Sequence, residues 1–177
     1  IGSAKCEIGN YVQQTLDGGY IIVGQVRSCL DDSECPPDVY LLRTDATGNR
    51  LWEKRYGGPG WDAGYFVGQT LEGSFILVGT TFSDTHGNGD VYVVKTDSQG
   101  NLLWEKTYGG ARAQRGWHGT LTPDGGLIIV GDTVADGITR VYLLKLDRAG
   151  NVLWERQYGP GEYNYGYHVC QTSDGGY

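Results

Sequence analysis

The chain has little of what helices, membrane spans and nucleic-acid-binding surfaces need. It has no methionine, and its 14 Lys and Arg residues are outnumbered by 21 Asp and Glu residues, so its formal net charge is −7. Helix formers such as Ala, Leu, Glu and Lys dominate no stretch. An acidic surface repels phosphate groups, so we expect no nucleic-acid partner. The apolar runs, such as residues 75–78, are far too short to cross a bilayer, so we expect no membrane insertion.

What is abundant points to strands and tight turns. The 177 residues include 30 Gly, 13 Tyr and 5 Trp. Aromatic residues favour strands and glycine favours turns, so the composition predicts an all-β protein. No charged segment followed by an apolar stretch opens the chain, so no signal peptide is visible. Because it starts at Ile1 and lacks methionine, we expect a processed N-terminus or a piece of a longer protein.

The four cysteines are Cys6, Cys29, Cys35 and Cys170. Cys29 and Cys35 flank a short polar segment, and in an oxidising compartment a disulfide between them would stiffen this loop. Zinc binding is the alternative, but no second Cys or His pair accompanies them at ligand spacing, so we expect no metal. Cys170 lies in an apolar strand pattern, which predicts a buried free thiol. Whether Cys6 pairs with it is left open.

An internal repeat organises the whole chain. The phrase Leu-Trp-Glu-Lys/Arg occurs three times, with its tryptophans at Trp52, Trp104 and Trp154, spaced by 52 and 50 residues. Each copy follows an Asp-x-x-Gly-Asn turn and a Val-Tyr strand, and a turn such as Asp17-Gly18-Gly19 stands further upstream. Each unit therefore predicts four strands, which in the second unit are residues 65–71, 75–81, 91–96 and 102–108.

Four antiparallel strands at this period are typical of a β-propeller blade. Helical repeats lack this glycine content, solenoids have shorter periods, and a β-sandwich would not need one Trp phrase three times. The prediction is therefore an all-β fold of propeller blades, three complete and part of a fourth, in a single repeat region, 1–177. The predicted blades are residues 9–58, 64–110 and 115–159, and the first strand of a further blade is 164–177.

The stretch from Val39 to Trp52 resembles the tryptophan-docking repeat of the quinoprotein-like β-propellers. The resemblance covers nearly the whole chain, and it implies that Trp52, Trp104 and Trp154 dock each blade on its neighbour. The family usually has one more residue between the Asp and the Gly of the phrase. Its quinone-dependent dehydrogenases carry adjacent cysteines over the cofactor; no Cys-Cys pair exists here, so we expect no quinone cofactor. Exported microbial proteins with Trp-Glu-Lys-x-Tyr-Gly-Gly repeats look similar, which implies a secreted or cell-surface protein.

Three blades are too few for a ring, because propellers close with four to eight. An isolated wedge would leave apolar sheet faces in water. Two explanations fit: the chain is a portion of a longer propeller, which we favour, or separate copies complete one another. The expected partners are therefore other proteins or copies of the chain itself.

Variable loops at one end of the blades are the expected place for binding. The strand two–three loops and the blade connections differ between repeats, whereas the other turns are nearly identical, and variable loops on a rigid scaffold usually carry function. Aromatic and charged residues there suit carbohydrate or protein contacts. The candidates are Trp61, Asp62, Arg112, Arg115, Glu162, Tyr163 and Tyr165. The alternative is that they are ordinary loop residues.

Other chemistry-bearing residues are interpreted as structural. The loop from Asp84 to Asp90 resembles a calcium loop in its alternating oxygen donors, but Lys95 stands where the bidentate Glu is needed, so we expect a solvated turn. His118 and His168 occupy the place of an aromatic residue and are expected to pack. The acids that recur in every repeat are expected in turns and on strand faces.

These observations favour a non-enzymatic scaffold or assembly subunit. The first alternative is a carbohydrate-binding module that uses the variable rim. The second is a glycosidase or lyase with Asp62 and Glu162 as its carboxylates.

Overall fold

The described residues form one repeated arrangement of strands. The computed structural model describes residues 6–27, 35–83 and 88–177, and these residues contain three antiparallel four-stranded sheets. The all-β prediction is confirmed. The strands are β1 (Cys6–Gln14), β2 (Tyr20–Arg27), β3 (Asp38–Thr44), β4 (Arg50–Tyr56), β5 (Asp62–Gln69), β6 (Phe75–Thr81), β7 (Asp90–Thr96), β8 (Leu102–Tyr108), β9 (Ala113–Leu121), β10 (Leu127–Ala135), β11 (Ile138–Leu146) and β12 (Val152–Tyr158). We call β1–β4 the first sheet, β5–β8 the second and β9–β12 the third.

The strands of the second sheet lie close to those expected from the sequence. β6 and β8 have the predicted bounds, and β7 starts one residue earlier than predicted, at Asp90. β5 starts at Asp62, before the predicted residue 65, because its pairing with β6 continues beyond a bulge as far as Asp62 opposite Thr81. A bulge inserts one residue without ending the ladder, so the alternation of residue types did not show it.

The turn between the third and fourth strands of each sheet is held by an aspartate. The Asp45 carboxylate accepts hydrogen bonds from the backbone N–H groups of Thr47 and Asn49, both at 2.9 Å. Its hydrogen bonds, led by that from the Asn49 amide, lower the pKa of Asp45 to about 2. Asp97 and Asp147 bond the equivalent turns in the same way. These recurring acids are turn residues.

A bulge in the first strand of every sheet lies opposite a glycine in the second strand. The extra residues are Asn10, Tyr65 and Trp117, and the facing glycines are Gly24, Gly79 and Gly131. A Cβ added to these glycines would lie 1.8, 2.0 and 1.6 Å, respectively, from a carbonyl oxygen of the bulged strand. No side chain fits at that distance, so glycine is required there for close backbone approach.

The sheets pack face to face in chain order. A cluster that includes Ile21, Leu41, Phe75 and Leu77 joins the first sheet to the second, and a similar cluster joins the second to the third. The buried faces are apolar without alternation, as expected for sheets covered on both sides. The core therefore consists of layers between sheets.

The tryptophan of each fourth strand lies against the next repeat. The ring centroids of Trp52 and Phe75 are 6.0 Å apart. Nearby, the Tyr56 hydroxyl donates to the Gly100 carbonyl at 2.7 Å. In the next repeat Trp104 lies beside Gly150, and the Tyr108 hydroxyl donates to that residue's carbonyl at 2.7 Å. Trp154 lies 6.0 Å from Tyr177 between ring centroids. All three tryptophans are partly buried.

Residues 164–177 cover the third sheet without forming the predicted strand. A strand needs a hydrogen-bonded neighbour, and the described residues supply only an isolated bridge between Thr139 and Tyr163. The segment nevertheless takes the place that β5 and β9 take on the preceding sheets. A Cβ on Gly166 would lie 2.4 Å from Val130 Cγ2, as one on Gly64 would lie 2.3 Å from Val23 Cγ2. Residues 164–177 thus lie where a first strand would lie, but no described strand forms a hydrogen-bonded ladder with them.

The cysteine predictions have different outcomes. Cys170 is free and exposed, so the predicted burial was wrong: in this extended segment it is the neighbouring Val169 that is buried. Cys6 is also free and exposed. Cys29 lies outside the described residues, so the Cys29–Cys35 disulfide stays a prediction. The same holds for the loop that begins at Asp84, since residues 84–87 lie outside them. In the described parts of the chain, no helix is long and apolar enough to cross a membrane.

We predict that Gly79→Ala destabilises the protein by about 1 to 3 kcal/mol, because the new methyl group would collide with the backbone of β5. Chemical denaturation by urea measures the change. Gly110→Ala is the matched control, since a Cβ there meets no heavy atom of the described residues within 4 Å, and it should change stability by less than about 0.5 kcal/mol. Equal stability of the two variants would contradict the bulge geometry.

Candidate functional site

The predicted rim residues lie at one end of the sheets. The start of each first strand pairs with the end of the second strand, as Asp62 does with Thr81, so loops from neighbouring repeats meet at this end. The structure brings Trp61 and Arg115 together in one cleft. Arg112, Glu162, Tyr163 and Tyr165 are exposed, and none of these four lines the cleft.

Asp62 is the rim candidate that does not reach the surface. It is fully buried, and its Oδ2 atom accepts hydrogen bonds from the Gly58 backbone at 2.8 Å and the Ser83 hydroxyl at 2.7 Å. Its carboxylate therefore holds the connection between β4 and β5 against the end of β6. Sequence position alone could not show this, because a loop-adjacent Asp has the same residue type in either role.

The cleft that contains Trp61 and Arg115 lies between the second and third sheets. Its volume is about 410 Å³, and its lining residues are Trp61, Thr80, Phe82, Arg115 and Trp117. Trp61 meets Phe82 edge to face, with ring centroids 5.5 Å apart. The Phe82 N–H also donates to the Trp61 carbonyl at 2.8 Å. Two aromatic walls are thus held together by their backbones.

Trp117 and Arg115 are both held by one buried carboxylate. The Trp117 indole Nε1–H donates to Asp132 Oδ1, and Arg115 Nη1 lies 3.8 Å from Asp132 Oδ2. Asp132 is fully buried, so its charge requires compensation, and the Arg115 guanidinium supplies it. The Trp117 indole is therefore fixed by a hydrogen bond, whereas Arg115 forms an ion pair with Asp132 but no hydrogen bond to its Oδ2 atom.

One lining hydroxyl has no partner. Thr80 is buried, and its Oγ1 atom makes no hydrogen bond within the described residues. A buried hydroxyl without a partner costs free energy. Thr80 lines the cleft, but its Oγ1 atom is covered, so a ligand oxygen reaches it only when the covering side chains move.

A row of aromatic rings continues from the cleft along the first strands. Trp117 lies 4.7 Å from Tyr65 on one side and 6.5 Å from Tyr167 on the other, measured between ring centroids. Tyr167 in turn stacks on Tyr165 at 6.1 Å. Burial raises the pKa of Tyr65 to about 12. We call Tyr65, Trp117, Tyr167 and Tyr165 the aromatic row.

Comparison of equivalent positions in the repeats shows that packing between the sheets does not require the aromatic residues of the cleft. The positions equivalent to Trp61, Phe82 and Arg115 hold Cys6, Arg27 and Ala63 one repeat earlier, and Ala113, Val134 and Tyr165 one repeat later. The inter-sheet packing does not need the aromatic cleft, because it forms without it between the first and second sheets. The sequence did not identify four further residues of this site, namely Phe82, Thr80, Trp117 and Asp132. A position-by-position comparison of the repeats would have singled out Phe82 and Trp117.

Two histidines stack beneath the aromatic row. His118 and His168 lie 4.1 Å apart between ring centroids, and His118 also packs on Phe66 and Tyr11. Burial, and secondly the neighbouring His168, lower the pKa of His118 to about 4. For His118, a buried imidazole agrees with the expectation that it substitutes for an aromatic side chain, whereas His168 stacks on it but is itself exposed.

The chemistry available in the cleft is recognition by aromatic rings and one cation, with the Thr80 hydroxyl beneath the surface. None of the five cleft-lining residues carries a carboxylate. Within the described ranges no group of three or more His, Cys, Asp or Glu residues is arranged to hold a metal ion. The arrangement thus suits binding through ring faces.

Comparison with known proteins leaves the geometry as the basis for function. No model of a known protein family matches the chain, and no curated protein matches it.

We predict that stability falls between about pH 6.5 and pH 4, in part because of His118. Its pKa is lower in the folded protein, so the unfolded chain binds more protons in this window and acid favours unfolding. His118→Phe, which copies Phe66 of the preceding repeat, should remove this contribution. The melting temperatures of both proteins at about pH 7.5 and about pH 5 measure it. If the melting temperatures of the two proteins differ by the same amount at both pH values, the prediction is contradicted.

Proposed function

We propose that the three sheets are blades of a β-propeller and that the chain is a non-enzymatic scaffold subunit, which assembles through further sheets of the same kind. The observation that carries the proposal is that the docking contact repeated within the chain is left open at both ends. The outgoing half of the contact is exposed on the third sheet, and the incoming half is exposed on the first.

The outgoing half consists of the aromatic residues of the fourth strand. Tyr56 and Tyr108 each donate a hydrogen bond to the turn of the next repeat. The equivalent residue of the third sheet, Tyr158, is 52% exposed. Trp154, beside it, contacts Tyr177, and within the described residues no third-to-fourth-strand turn lies against it.

The incoming half consists of one turn and one sheet face. A Cβ on Gly100 would lie 2.8 Å from the Trp52 ring, whereas one on Gly48 would meet no heavy atom of the described residues within 4 Å. Val12 of the first sheet is 58% exposed, whereas its equivalent in the second sheet, Val67, is completely buried. Tyr20 and Phe75 differ in the same way, at 37% and 1% exposed.

These two surfaces fit a further sheet of the same kind, which a longer chain or a second copy of this chain would supply, and the second copy is the case that this chain can test. Its Asp45–Asn49 turn would receive Trp154 and Tyr158, and its open first sheet would cover the face of the third. Residues 164–177 already occupy the place of a first strand there, so the incoming β1 would exchange with this segment. Exchange of an equivalent element between copies is a common route to assembly.

The proposed function also concerns where the protein is located and whether it needs a cofactor. A secreted or cell-surface location is supported by the predicted Cys29–Cys35 disulfide, since such bonds persist in oxidising compartments. The proposed scaffold role needs neither a metal nor a cofactor, because side-chain packing, hydrogen bonds and the Arg148–Glu72 ion pair already join the repeats in the described residues.

The mass in solution tests the assembly. We predict that the 19.3 kDa chain associates as its concentration rises, as measured by sedimentation velocity. Tyr158→Ala and Val12→Lys should each weaken association, because one removes the outgoing hydroxyl and the other places a charge in an apolar contact.

Leu153→Ala is the matched control. Leu153 is 55% exposed but precedes Trp154 and so lies on the opposite side of β12. It should associate like the unchanged chain. A monomer at all concentrations, or equal weakening by all three variants, would overturn assembly through the docking contact.

A further inference from the structure

We propose that the cleft between the second and third sheets, with the adjoining aromatic row, is a binding site for a neutral oligosaccharide. Both sheets belong to one chain, so the cleft exists without the assembly proposed above. Because Tyr165 and Tyr167 lie in the segment that assembly would exchange, binding is measured at concentrations at which the chain is monomeric, so that failure of the carbohydrate site and failure of the scaffold contact are distinguished.

The shape of the site suits a ligand made of successive rings. A cleft of about 410 Å³ is within the size range of small-ligand sites, which are mostly apolar with a few placed polar groups. Beyond it the aromatic row continues through Tyr167 and Tyr165, which are 68% and 46% exposed. A ligand with a single apolar side chain would contact the cleft alone and make no contact with the aromatic row. A saccharide chain offers a series of rings whose C–H faces can lie on the aromatic faces.

The polar groups of the site match the edge of a sugar ring. The Thr80 hydroxyl is buried and has no hydrogen-bond partner in the described residues, so a sugar hydroxyl that displaces the side chains covering it would satisfy it. The Arg115 side chain is about one-third exposed, at 35%, so it can donate hydrogen bonds to the ligand while it neutralises Asp132. A purely apolar ligand would leave the Thr80 hydroxyl unsatisfied, which costs free energy.

The charge of the chain selects a neutral ligand. Aromatic rows also bind single-stranded nucleic acid, but such sites lie in positively charged grooves. This chain carries a net charge of −7, and the cation at the cleft, Arg115, is already paired with Asp132. Polyanions, whether nucleic acid or uronic-acid polymers, are therefore disfavoured.

The repeats indicate that the aromatic residues are not present for packing. Scaffold contacts such as those of Trp52 and Trp104 recur in equivalent places, whereas the Trp61–Phe82 pair stands at one inter-sheet boundary of the described chain. A rigid scaffold with one distinctive loop end is the usual arrangement of a binding site.

Tryptophan fluorescence titration with defined saccharides tests the proposal. The probes are cellohexaose, laminarihexaose, chitohexaose and mannohexaose, with oligogalacturonate and oligo(dT) as anionic probes. We expect at least one neutral hexasaccharide to bind, and the anionic probes to bind at least about tenfold more weakly. Trp61→Ala should reduce the affinity about tenfold by removing one ring face.

Matched variants separate binding from folding. Tyr163→Ala removes an exposed aromatic ring at the same end of the sheets but outside the cleft, and should leave the affinity unchanged. Thr80→Val keeps the shape of the side chain, removes the unpartnered hydroxyl and should weaken binding without lowering the melting temperature. The proposal is overturned if no neutral probe binds, if oligo(dT) binds more tightly than every saccharide, or if folded Trp61→Ala binds as well as Tyr163→Ala.

Discussion

The close approach of neighbouring sheets is the constraint on which the rest of the structure depends. Gly64, Gly116 and Gly166 let each first strand lie directly on valines of the preceding sheet, and Gly24, Gly79 and Gly131 let the second strands accept a bulge. Without a side chain at these positions, the apolar faces come near enough to exclude water and pack at the density of a protein interior. The tryptophans and tyrosines of the fourth strands then reach the turn of the next repeat.

The same constraint explains where functional residues can stand. The apolar side chains of the clusters between the sheets are committed to packing, and the aspartates of the Asp-x-x-Gly-Asn turns are committed to hydrogen bonds within those turns. The residues of the variable loops and the extra residue of each bulge are free of these requirements. The bulge residue is free because it has no partner in the hydrogen-bonded ladder. Tyr65 and Trp117 are bulge residues, and Trp61 and Phe82 flank strand ends. The cleft is assembled from positions that the repeat leaves free.

The two proposals use opposite properties of the repeat. Assembly depends on equivalence, since Tyr158 and Gly48 are the unpartnered counterparts of residues already paired inside the chain. Carbohydrate binding depends on departure from equivalence, since the aromatic cleft occurs at one boundary between sheets of the described chain. A repeat protein can combine both, because the packing faces and the loop end are separate surfaces.

Local patterns in the sequence, namely apolar runs, Asp-Gly-Gly turns and a recurring Trp phrase, predicted the all-β fold and most strands of the second sheet, but not the start of β5 or the lack of a strand in residues 164–177. The sequence also grouped Trp61 with Arg115, and the structure brings both into one cleft. Only the tertiary structure decided that Asp62 is buried, that Cys170 is exposed, and that Phe82, Thr80 and Trp117 meet Trp61 across two sheets. Whether a side chain is buried or a hydroxyl lacks a partner depends on which sheet lies opposite. The residues next to it in the sequence do not show which distant residues it will contact.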